Sequence, residues 1–427
     1  LEAQPYQFKA FRALLEALEV DEYEAVQLTD AIRDWTDKDT QLVSSNGAED
    51  AYYEGLNPPY LVANQWLLGT DELRAVRGVS SELYARLAPY VCTLPNDKLV
   101  VNVNTIRPEQ SALLVALYLV GPRNEFGAPT ATPRAQAPQD LAALDAWLAS
   151  QEASVPGIKA GNAKGIVWAK NPGQKTPWAV VYLHGFSASR LETAPLTGQV
   201  AQGLGANVFY TRLTGHGVPG AAMGDAKVQD WLADAQEALN IGRQLGDRVL
   251  VISCSTGATL ATWLEVNGPK TGVAGHVFVS PNFGPKDERA DLINGPWGHQ
   301  IAFALLGQER THTPASDAES QAWTSSYPTR SLFPMMALVK ATRESPLERF
   351  SAPVMMLYSA DDKTVEPRLS QAALDRFSSS NKHLVKVDYS EAKGQHVLAG
   401  EIRAPAATAP MAQSILQWVA TLGLLAP

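Results

Sequence analysis

Six short apolar segments, spread over the last 280 or so residues, restrict the fold more than any other feature of the sequence. Val, Ile and Leu dominate them with little polar alternation, which is typical of strands buried on both faces of a parallel sheet. Helical patterns separate them, so this alternation predicts a doubly wound α/β domain with a mostly parallel sheet. The segments are WAVVYLHG (178–185), ANVFYTRL (206–213), RVLVISCS (248–255), GHVFVSPN (275–282), APVMMLYSA (352–360) and LVKVDYS (384–390).

Length and charge divide the chain before any motif is considered. A chain of 427 residues is expected to form two or three domains. Residues 1–120 hold 9 basic and 18 acidic residues (9 − 18 = −9), and residues 121–427 hold 26 of each, for a net charge of zero. Such asymmetry predicts two units of different role. An acidic first part also argues against nucleic-acid binding, which requires a basic face.

Three regions follow from composition. The first part, 1–120, shows helical periodicity from Phe8 to Leu18 and is expected to be mainly α, with further helices over about 24–36 and from Asp71. A short strand is expected at 98–105. Residues 121–140, GPRNEFGAPTATPRAQAPQD, have the composition of an extended, mobile linker. The α/β domain is then expected over 141–427.

The sequence lacks the usual signals of a membrane-spanning protein, of a secretory leader and of a disulfide-stabilised or metal-binding fold. No apolar run reaches the roughly 18–20 residues that a transmembrane helix needs, and the start of the sequence lacks the pattern of a signal peptide. Cys92 and Cys254 supply neither a disulfide framework nor the spacing of a metal site. The cysteines therefore indicate no compartment.

The stretch VLVISCSTGATLATWL has the context of a nucleophile turn: an apolar strand, small residues, then a helix. The pattern G-x-S-x-G needs small residues beside the serine because strand and helix pass close together. Here Ser255 is the candidate nucleophile, Gly257 is kept, and Ser253 replaces the first glycine. The alternative is a packed strand–helix junction without catalytic function.

The other members of a catalytic triad are expected later in the chain, in the order acid and then histidine. The strand in APVMMLYSADDKTVEP ends in two carboxylates, of which Asp362 fits the spacing and Asp361 is the alternative. His396 follows the last strand in VDYSEAKGQHVLAGE, where the alternative is a solvated loop histidine. In this arrangement His396 takes the proton of Ser255, and Asp362 fixes the imidazole tautomer.

An acyl-transfer site also needs two donors for the oxyanion. One is expected to be the backbone N–H of Thr256, which follows the nucleophile. The other is expected to be the N–H of Phe186, in the loop that begins within VVYLHGFSAS. His184 in the same loop is interpreted as a structural residue that holds this loop in place.

LHGFSAS, YTRLTGHG (210–217), the Ser255 turn, Asp362 and His396 together resemble the α/β-hydrolase superfamily, in particular bacterial carboxylesterases and monoglyceride-lipase-like enzymes. The resemblance implies a serine esterase that hydrolyses small-molecule carboxylic esters through an acyl-enzyme, with no cofactor for catalysis. It also implies a helical cap at about 283–350. In that cap Trp297, Phe333 and Met335 are candidate substrate-binding residues, or they simply pack the cap on the body.

In the first part, DAIRDWTDKDT, NGAEDAYYEG, ELRAVRG and NVNT resemble a fragment of the helical domain of minor pseudopilin K (GspK) of bacterial type II secretion systems. That resemblance implies a periplasmic location for the relatives and other pseudopilins as partners. It also implies calcium on carboxylate-rich loops, since Ca²⁺ prefers clustered oxygen ligands. The alternative is a solvated acidic face. The candidate ligands are Asp37, Asp39, Glu49 and Asp50.

We hypothesise that the chain is a fusion of two unrelated coding segments, joined by engineering or from neighbouring or shotgun-cloned DNA, with its activity wholly in the second part. The hydrolase part is expected to be bacterial and cytoplasmic. The rival interpretation is a structural pseudopilus component that carries an inactive hydrolase domain. Within the enzymes, an amidase or peptidase of the same fold remains the alternative, because the same triad serves both reactions.

Overall fold

The computed structural model describes residues 6–93, 118–269 and 271–422. The strand expected at 98–105 lies outside these residues. The chain divides into two compact units, Leu1–Pro122 and Arg123–Pro427. None of the helices within the described ranges is long and apolar enough to cross a membrane.

The first unit is mainly α-helical, as the sequence predicts. The Asp21 side chain accepts a hydrogen bond from the Tyr23 N–H at 2.9 Å and so caps the second helix. The element expected from Asp71 is a six-residue 3-10 helix, Thr70–Ala75, rather than an α-helix. The α-helices are α1 (Tyr6–Ala17), α2 (Glu22–Thr36), α3 (Asp50–Tyr53) and α4 (Ser81–Leu87).

Two apolar clusters stabilise the first unit. In one, Leu14 and Leu15 of α1 pack with Leu87 of α4. In the other, Trp35 of α2 meets the fully buried Tyr53 edge to face, with ring centroids 5.1 Å apart. The apolar positions of α1 and α2 recur on one face of each helix, which explains why the periodicity predicted these elements correctly.

The second unit is built on a seven-stranded sheet in the order β1-β3-β2-β4-β5-β8-β9. β1 runs antiparallel to β3, and the other neighbours in the sheet are parallel. This confirms the mostly parallel α/β architecture. The strands are β1 (Gly165–Val167), β2 (Thr176–Leu183), β3 (Asn207–Tyr210), β4 (Gly246–Cys254), β5 (Gly275–Val279), β6 (Glu309–Thr311), β7 (Ser326–Pro328), β8 (Val354–Tyr358) and β9 (Lys382–Lys386), of which β6 and β7 form a separate hairpin.

Helices cover both faces of this sheet, so the central strands are buried on both sides, whereas the edge strands β1 and β9 are partly exposed. Along β4, Val249 and Val251 point into one apolar cluster, and Leu250 and Ile252 point into the other. The first cluster includes side chains of α7 and α8, and the second includes side chains of α6 and α13. The helices are α5 (Leu144–Ala153), α6 (Leu196–Leu204), α7 (Val228–Leu245), α8 (Thr256–Asn267), α9 (Gly298–Leu306), α10 (Asp317–Ala322), α11 (Leu332–Glu344), α12 (Pro367–Arg376) and α13 (Pro405–Thr421).

The insertion between β5 and β8 contains α9, the β6–β7 hairpin, α10 and α11. Met336 and Leu338 of α11 belong to the main apolar cluster of the unit, so this helix attaches the insertion to the body. The backbone N–H of Thr324 donates to the Ser187 carbonyl at 2.7 Å. The insertion therefore also contacts the loop that follows β2.

Residues 123–140 differ from the expectation of a mobile linker, because they pack on the second unit. The Asn124 amide donates to Asn294 Oδ1 at 2.9 Å, and the Phe126 ring stacks on Trp263 at 5.4 Å. The Thr132 N–H donates to the Gln229 carbonyl of α7 at 3.0 Å. Composition indicated correctly that the segment lacks regular structure, but side-chain and backbone hydrogen bonds hold it without any.

Candidate active site

Ser255 lies in the tight turn between β4 and α8. Its backbone has φ 50° and ψ −117°, a left-handed conformation that costs a non-glycine residue of order 1–3 kcal/mol. The turn is held from both sides: the Ser255 N–H donates to the Val279 carbonyl at 3.0 Å, and its own carbonyl accepts from the Asn282 N–H at 3.2 Å. Strained, tightly held turns of this kind cluster at functional sites.

The glycine after the serine is required by the packing of α8 on β2. A Cβ at Gly257 would lie 2.2 Å from the Leu183 carbonyl oxygen and 2.8 Å from that of His184. Ser253, in place of the first glycine, is fully buried in β4, and its Oγ has no hydrogen-bond partner among the described residues. The first position of the pattern therefore has room for a hydroxymethyl group, and the last has none.

Asp362 and His396 meet in two loops at the carboxyl edge of the sheet. His396 Nδ1 lies 2.8 Å from Asp362 Oδ2. The other carboxylate oxygen accepts the N–H groups of Thr364 and Val365 at 2.7 and 3.0 Å. Asp362 is buried, whereas the alternative acid, Asp361, is exposed. With Nδ1 donating to the carboxylate, the Nε2 atom of His396 is left as the proton acceptor.

All three predicted triad residues follow strands that run in the same direction. Ser255 follows β4, Asp362 follows β8 and His396 follows β9. The carboxyl ends of parallel strands share one edge of the sheet, where ligands bind in open α/β folds. The topology thus brings the three residues to one edge.

The loop after β2 is fixed by His184. The Leu213 N–H donates to His184 Nε2 at 3.0 Å, so this nitrogen is unprotonated and Nδ1 carries the hydrogen. Nδ1 then donates to the Gly185 carbonyl at 2.9 Å, which orients the peptide that contains the Phe186 N–H. Burial lowers the pKa of His184 to about 3, so the ring is neutral in this role. Its expected structural function agrees with these contacts.

The second oxyanion candidate, Thr256, is the buried first residue of α8. The N–H groups in the first turn of a helix have no partner within that helix and lie at the positive end of its dipole. The Thr256 hydroxyl also accepts from the Asn282 amide at 3.4 Å. This geometry suits an N–H donor aimed at developing negative charge.

The three candidate substrate-binding residues have different surroundings. Met335 is buried, and its Sδ lies 3.5 Å from the amide nitrogen of Asn282, the residue that holds the Ser255 carbonyl. The Phe333 ring stacks on His299 at 3.8 Å within the insertion. Trp297 precedes α9 and is half-buried. Of the three, Met335 has the contact that leads to the nucleophile turn.

A buried carboxyl that the sequence analysis did not single out lies behind the same loop. Glu192 is 2% exposed, and its Oε1 accepts the Gly185 N–H at 2.7 Å. Burial raises the pKa of Glu192 to about 7. The available signal was a lone carboxyl among the small and apolar residues of SASRLETAPLTG, but no periodicity or motif spacing distinguished it from a surface residue.

In the first unit the structure brings together three of the four predicted metal ligands. Carboxylate oxygens of Asp37, Asp39 and Glu49 all lie within 4.8 Å of one another. Asp50 is outside this group, because its Oδ1 accepts the Val62 N–H at 3.1 Å. Asp34, which was not among the predicted ligands, lies beside Glu49 closely enough to raise its pKa.

This acidic cluster has unused oxygens. Both Oε atoms of Glu49, Asp37 Oδ1 and Asp34 Oδ2 are buried and without hydrogen-bond partners among the described residues. Burial and the neighbouring Asp34 raise the pKa of Glu49 to about 7, and burial also raises the pKa values of Asp34 and Asp37. Clustered, unsatisfied carboxylates are the donor set that a hard divalent cation such as Ca²⁺ prefers.

Comparison with known proteins agrees with the division of the chain into two units. A sequence model described as the alpha/beta hydrolase family matches residues 180–409, more than half of the chain. The chain belongs to the α/β-hydrolase family. A curated relative of the same part, the thermostable monoacylglycerol lipase of Bacillus sp. (strain H-257), is 25% identical over 211 residues, which are 49% of this chain and 81% of the relative.

The first unit matches a second family model, type II secretion system protein K, over residues 2–96. Type II secretion system protein K of Aeromonas hydrophila is 82% identical over 119 residues, and that of Klebsiella pneumoniae is 48% identical over 116 residues. These segments are 28% and 27% of this chain. They cover 36% and 35% of the relatives, so the chain spans about a third of their length.

Solved structures were also found to be similar to parts of this chain. A structure of the metagenome-derived lipolytic enzymes LipS and LipT is 19% identical, with a TM-score of 0.47, and the match covers 62% of this chain and 99% of that one. The GspK-GspI-GspJ complex of enterotoxigenic Escherichia coli is 33% identical, with a TM-score of 0.26, over 26% of this chain and 40% of that chain.

Proposed function

We propose that the second unit is a serine hydrolase of carboxylic esters that works through an acyl-enzyme on Ser255. The observation that carries the proposal is the 2.8 Å contact between His396 Nδ1 and the buried Asp362, at the sheet edge where β4 enters the Ser255 turn. A nucleophile, an orienting acid and a base, in this order along the chain and on this fold, support the chemistry of acyl transfer.

In the first half-reaction His396 Nε2 accepts the Ser255 proton while the Ser255 oxygen attacks the ester carbonyl carbon. Asp362 holds Nδ1–H and stabilises the imidazolium that forms. The imidazolium then protonates the leaving alcohol as the carbon–oxygen bond breaks, which leaves the acyl group on Ser255. In the second half-reaction His396 takes a proton from water, the hydroxide attacks the acyl carbon, and Ser255 is released with its proton restored.

The tetrahedral oxyanion is assigned to the backbone N–H groups of Thr256 and Phe186. Support for Thr256 comes from its place at the start of α8, and support for Phe186 comes from the neutral His184, which holds the Gly185 carbonyl of the same peptide. Removing one preorganised donor of this kind typically costs about 10²–10³-fold in kcat.

The acyl group is assigned to the space beside α11, with Met335 nearest the nucleophile and with Phe333 and Trp297 further into the insertion. The contact of Met335 with Asn282 supports this order. An apolar wall built by a flexible methionine side chain tolerates ligands of different shape. We therefore expect an apolar acyl chain rather than a charged acid.

The direct test is a chain-length series of p-nitrophenyl esters on the unaltered protein, Ser255→Ala and Ser253→Ala. Hydrolysis is expected to vanish in Ser255→Ala. Ser253→Ala is the matched control, because it removes a buried hydroxyl two residues away and should retain turnover. A folded protein with no ester turnover, or with turnover that survives Ser255→Ala, would contradict the proposal.

An amide substrate is the alternative reaction of the same triad. A p-nitroanilide with the same acyl group as the best p-nitrophenyl ester decides between them. We expect ester turnover to exceed anilide turnover by several orders of magnitude. Comparable rates would assign the site to an amidase or peptidase instead.

For the first unit we propose a calcium site formed by Asp37, Asp39 and Glu49, with Asp34 beside them. The unpartnered buried oxygens of Glu49 support it, because an isolated buried carboxylate is costly unless it pairs or binds a cation. Asp50 is left out of the ligand set. We also propose that the same unit associates with other pseudopilins, as the resemblance implies. The resemblance further implies that its relatives are periplasmic.

Calorimetric titration with CaCl₂ of the EDTA-treated protein tests this site. The unaltered protein should bind one equivalent, and Glu49→Gln should lose binding. Glu54→Gln changes an exposed carboxyl nearby and should bind as the unaltered protein does. Equal titration of all three proteins, or no heat of binding in any of them, would refute the site.

A further inference from the structure

We infer that Glu192 is a positioning residue of the hydrolase: its carboxylate holds the Gly185 N–H and thereby fixes the loop that presents the Phe186 N–H to the oxyanion. This role rests on the proposed function, because it concerns the same site. Glu192 lies on the segment between β2 and α6, outside the predicted triad and outside the predicted oxyanion donors.

Gly185 lies between the buried carboxyl and the nucleophile. A Cβ at this residue would lie 3.1 Å from Glu192 Oε2 and 3.3 Å from the Cβ of Ser255. Both neighbours would have to move by a few tenths of an ångström to admit a side chain at this position. The loop is therefore closely packed between Glu192 and the nucleophile turn.

Both peptide groups of Gly185 are held by side chains. Its N–H donates to Glu192 Oε1 at 2.7 Å, and its carbonyl accepts from His184 Nδ1 at 2.9 Å. Because one peptide is held by Glu192 and the next by His184, rotation about the Gly185 backbone bonds is restricted, and the N–H of Phe186, which belongs to the second peptide, keeps one direction. Preorganised donors of this kind need no rearrangement as the oxyanion forms.

The hydrogen bonds around Glu192 point toward its carboxylate. The Tyr182 hydroxyl donates to Oε1 at 2.9 Å, and the Thr193 hydroxyl donates to the Tyr182 oxygen at 2.8 Å. Together with the Gly185 N–H, the carboxylate therefore has one donor from β2 and one from the loop that follows β2. A carboxylate held by both donors is a rigid support for the loop.

Burying the carboxyl group of Glu192 costs free energy, and a role in the proposed reaction gives a reason for that cost. Burying a carboxyl is unfavourable unless its oxygens are satisfied, and the raised pKa of Glu192 reflects that burial. Tyr182, Cys254 and His396 are the ionisable groups that influence the pKa of Glu192, and attraction to His396 lowers it. A buried acid that holds the loop beside the nucleophile turn fits the reaction better than it fits an apolar core.

The test compares kinetics and loop protection in Glu192→Ala, Glu192→Gln and the control Glu265→Gln. Gln keeps an oxygen that accepts the Gly185 N–H, and Ala does not. Glu265 is a partly buried carboxyl at the far end of α8, where it hydrogen-bonds to Thr271, so the control changes a similar group away from the site.

We expect Glu192→Ala to lower kcat by about 10²-fold, with KM for a short-chain ester changed by less than about threefold. Glu192→Gln should recover kcat to within about tenfold of the unaltered protein. Amide exchange of the peptide covering 184–190 should be faster in Glu192→Ala alone. Unaltered kcat in Glu192→Ala, or unaltered exchange of this peptide, would overturn the inference.

The two proposals fail in different ways. If the unaltered protein hydrolyses no ester, the proposed function fails, and the exchange measurement still decides whether Glu192 positions the loop. If esters are hydrolysed but Glu192→Gln is as inactive as Glu192→Ala, the hydrogen-bond acceptor is not what matters, and the inference fails while the proposed function stands.

Discussion

At the scale of single residues, the roles in this chain depend on which polar atoms are paired. Asp361 and Asp362 are indistinguishable by composition, yet one is exposed and the other accepts three hydrogen bonds, including that of His396. Chain order and motif spacing selected Asp362 from the sequence. The same reasoning did not identify Glu192, because its partners are a backbone N–H seven residues away and a hydroxyl ten residues away, in an arrangement that no motif encodes.

Asp362→Asn should lower kcat by on the order of 10⁴-fold, because an amide stabilises the wrong imidazole tautomer. Steady-state kinetics of ester hydrolysis measure this loss of kcat. Asp361→Asn is the matched control and should retain nearly all activity. A reversal of the two effects would assign the acid to Asp361.

The acidic cluster of the first unit gives a pH prediction. The folded-state pKa of Glu49 is raised to about 7, above its ordinary value of 4.5. Its contribution to stability is therefore complete below pH 4.5 and is lost as pH rises through 7. In EDTA, amide exchange of the segment 37–53 should become less protected between about pH 5 and pH 8, after correction for the intrinsic exchange rate.

Calcium should reverse this trend, since it binds the ionised carboxylates and binding is linked to their deprotonation. Protection gained on adding CaCl₂ should be larger at about pH 8 than at about pH 5. Glu49→Gln should flatten the pH dependence in EDTA. A segment whose protection increases with pH in EDTA would contradict the pKa assignment.

At the scale of elements, apolar runs predicted the long central strands correctly, because strands buried on both faces need continuous Val, Ile and Leu. The three-residue strands β1, β6 and β7 were missed, since such short segments carry no period and are defined by their partners. The insertion was expected from its place in the chain, but the packing of α11 into the main core is a tertiary property that the sequence pattern does not express.

Gly257→Ala tests the junction of β2, β4 and α8. The added Cβ would overlap the Leu183 carbonyl, a backbone atom that cannot rotate away, so α8 must shift. Overpacking typically costs about 1–3 kcal/mol, and we expect the upper end or more. Denaturant unfolding measures the loss.

Gly165→Ala is the control for this substitution, because a Cβ at that position meets no atom within 4 Å. It should leave the free energy of unfolding unchanged within about 0.5 kcal/mol. If Gly257→Ala were as stable as the control, α8 would be free to move away from β2, and the tight packing of the turn would be refuted.

At the scale of the whole molecule, the chain forms two compact units, and the boundary between them matters for any fragment. The sequence predicted two units and their fold classes from charge and periodicity. It did not predict that 123–140 packs on the second unit, because that attachment depends on single contacts such as those of Asn124 and Phe126.

A fragment 123–427 should therefore be more stable than 141–427. The shorter fragment leaves the buried Asn294 and the Phe333 carbonyl without the Asn124 amide, at about 1–3 kcal/mol for each lost buried partner. Thermal unfolding should differ by roughly 5–10 °C. Both fragments should hydrolyse esters if the activity lies wholly in the second unit. Equal melting temperatures would mean that residues 123–140 contribute nothing to the stability of the second unit.

The reaction proposed for the second unit depends on Ser255, which is proposed to carry the acyl group. The most direct measurement is mass spectrometry of the full chain after treatment with a fluorophosphonate, with fragmentation of the peptide that contains Ser253, Cys254 and Ser255. We expect one adduct, on the Ser255 oxygen, with loss of ester hydrolysis in proportion to labelling and no adduct in Ser255→Ala. An adduct on another residue, or an unlabelled, folded protein without ester turnover, would contradict this assignment.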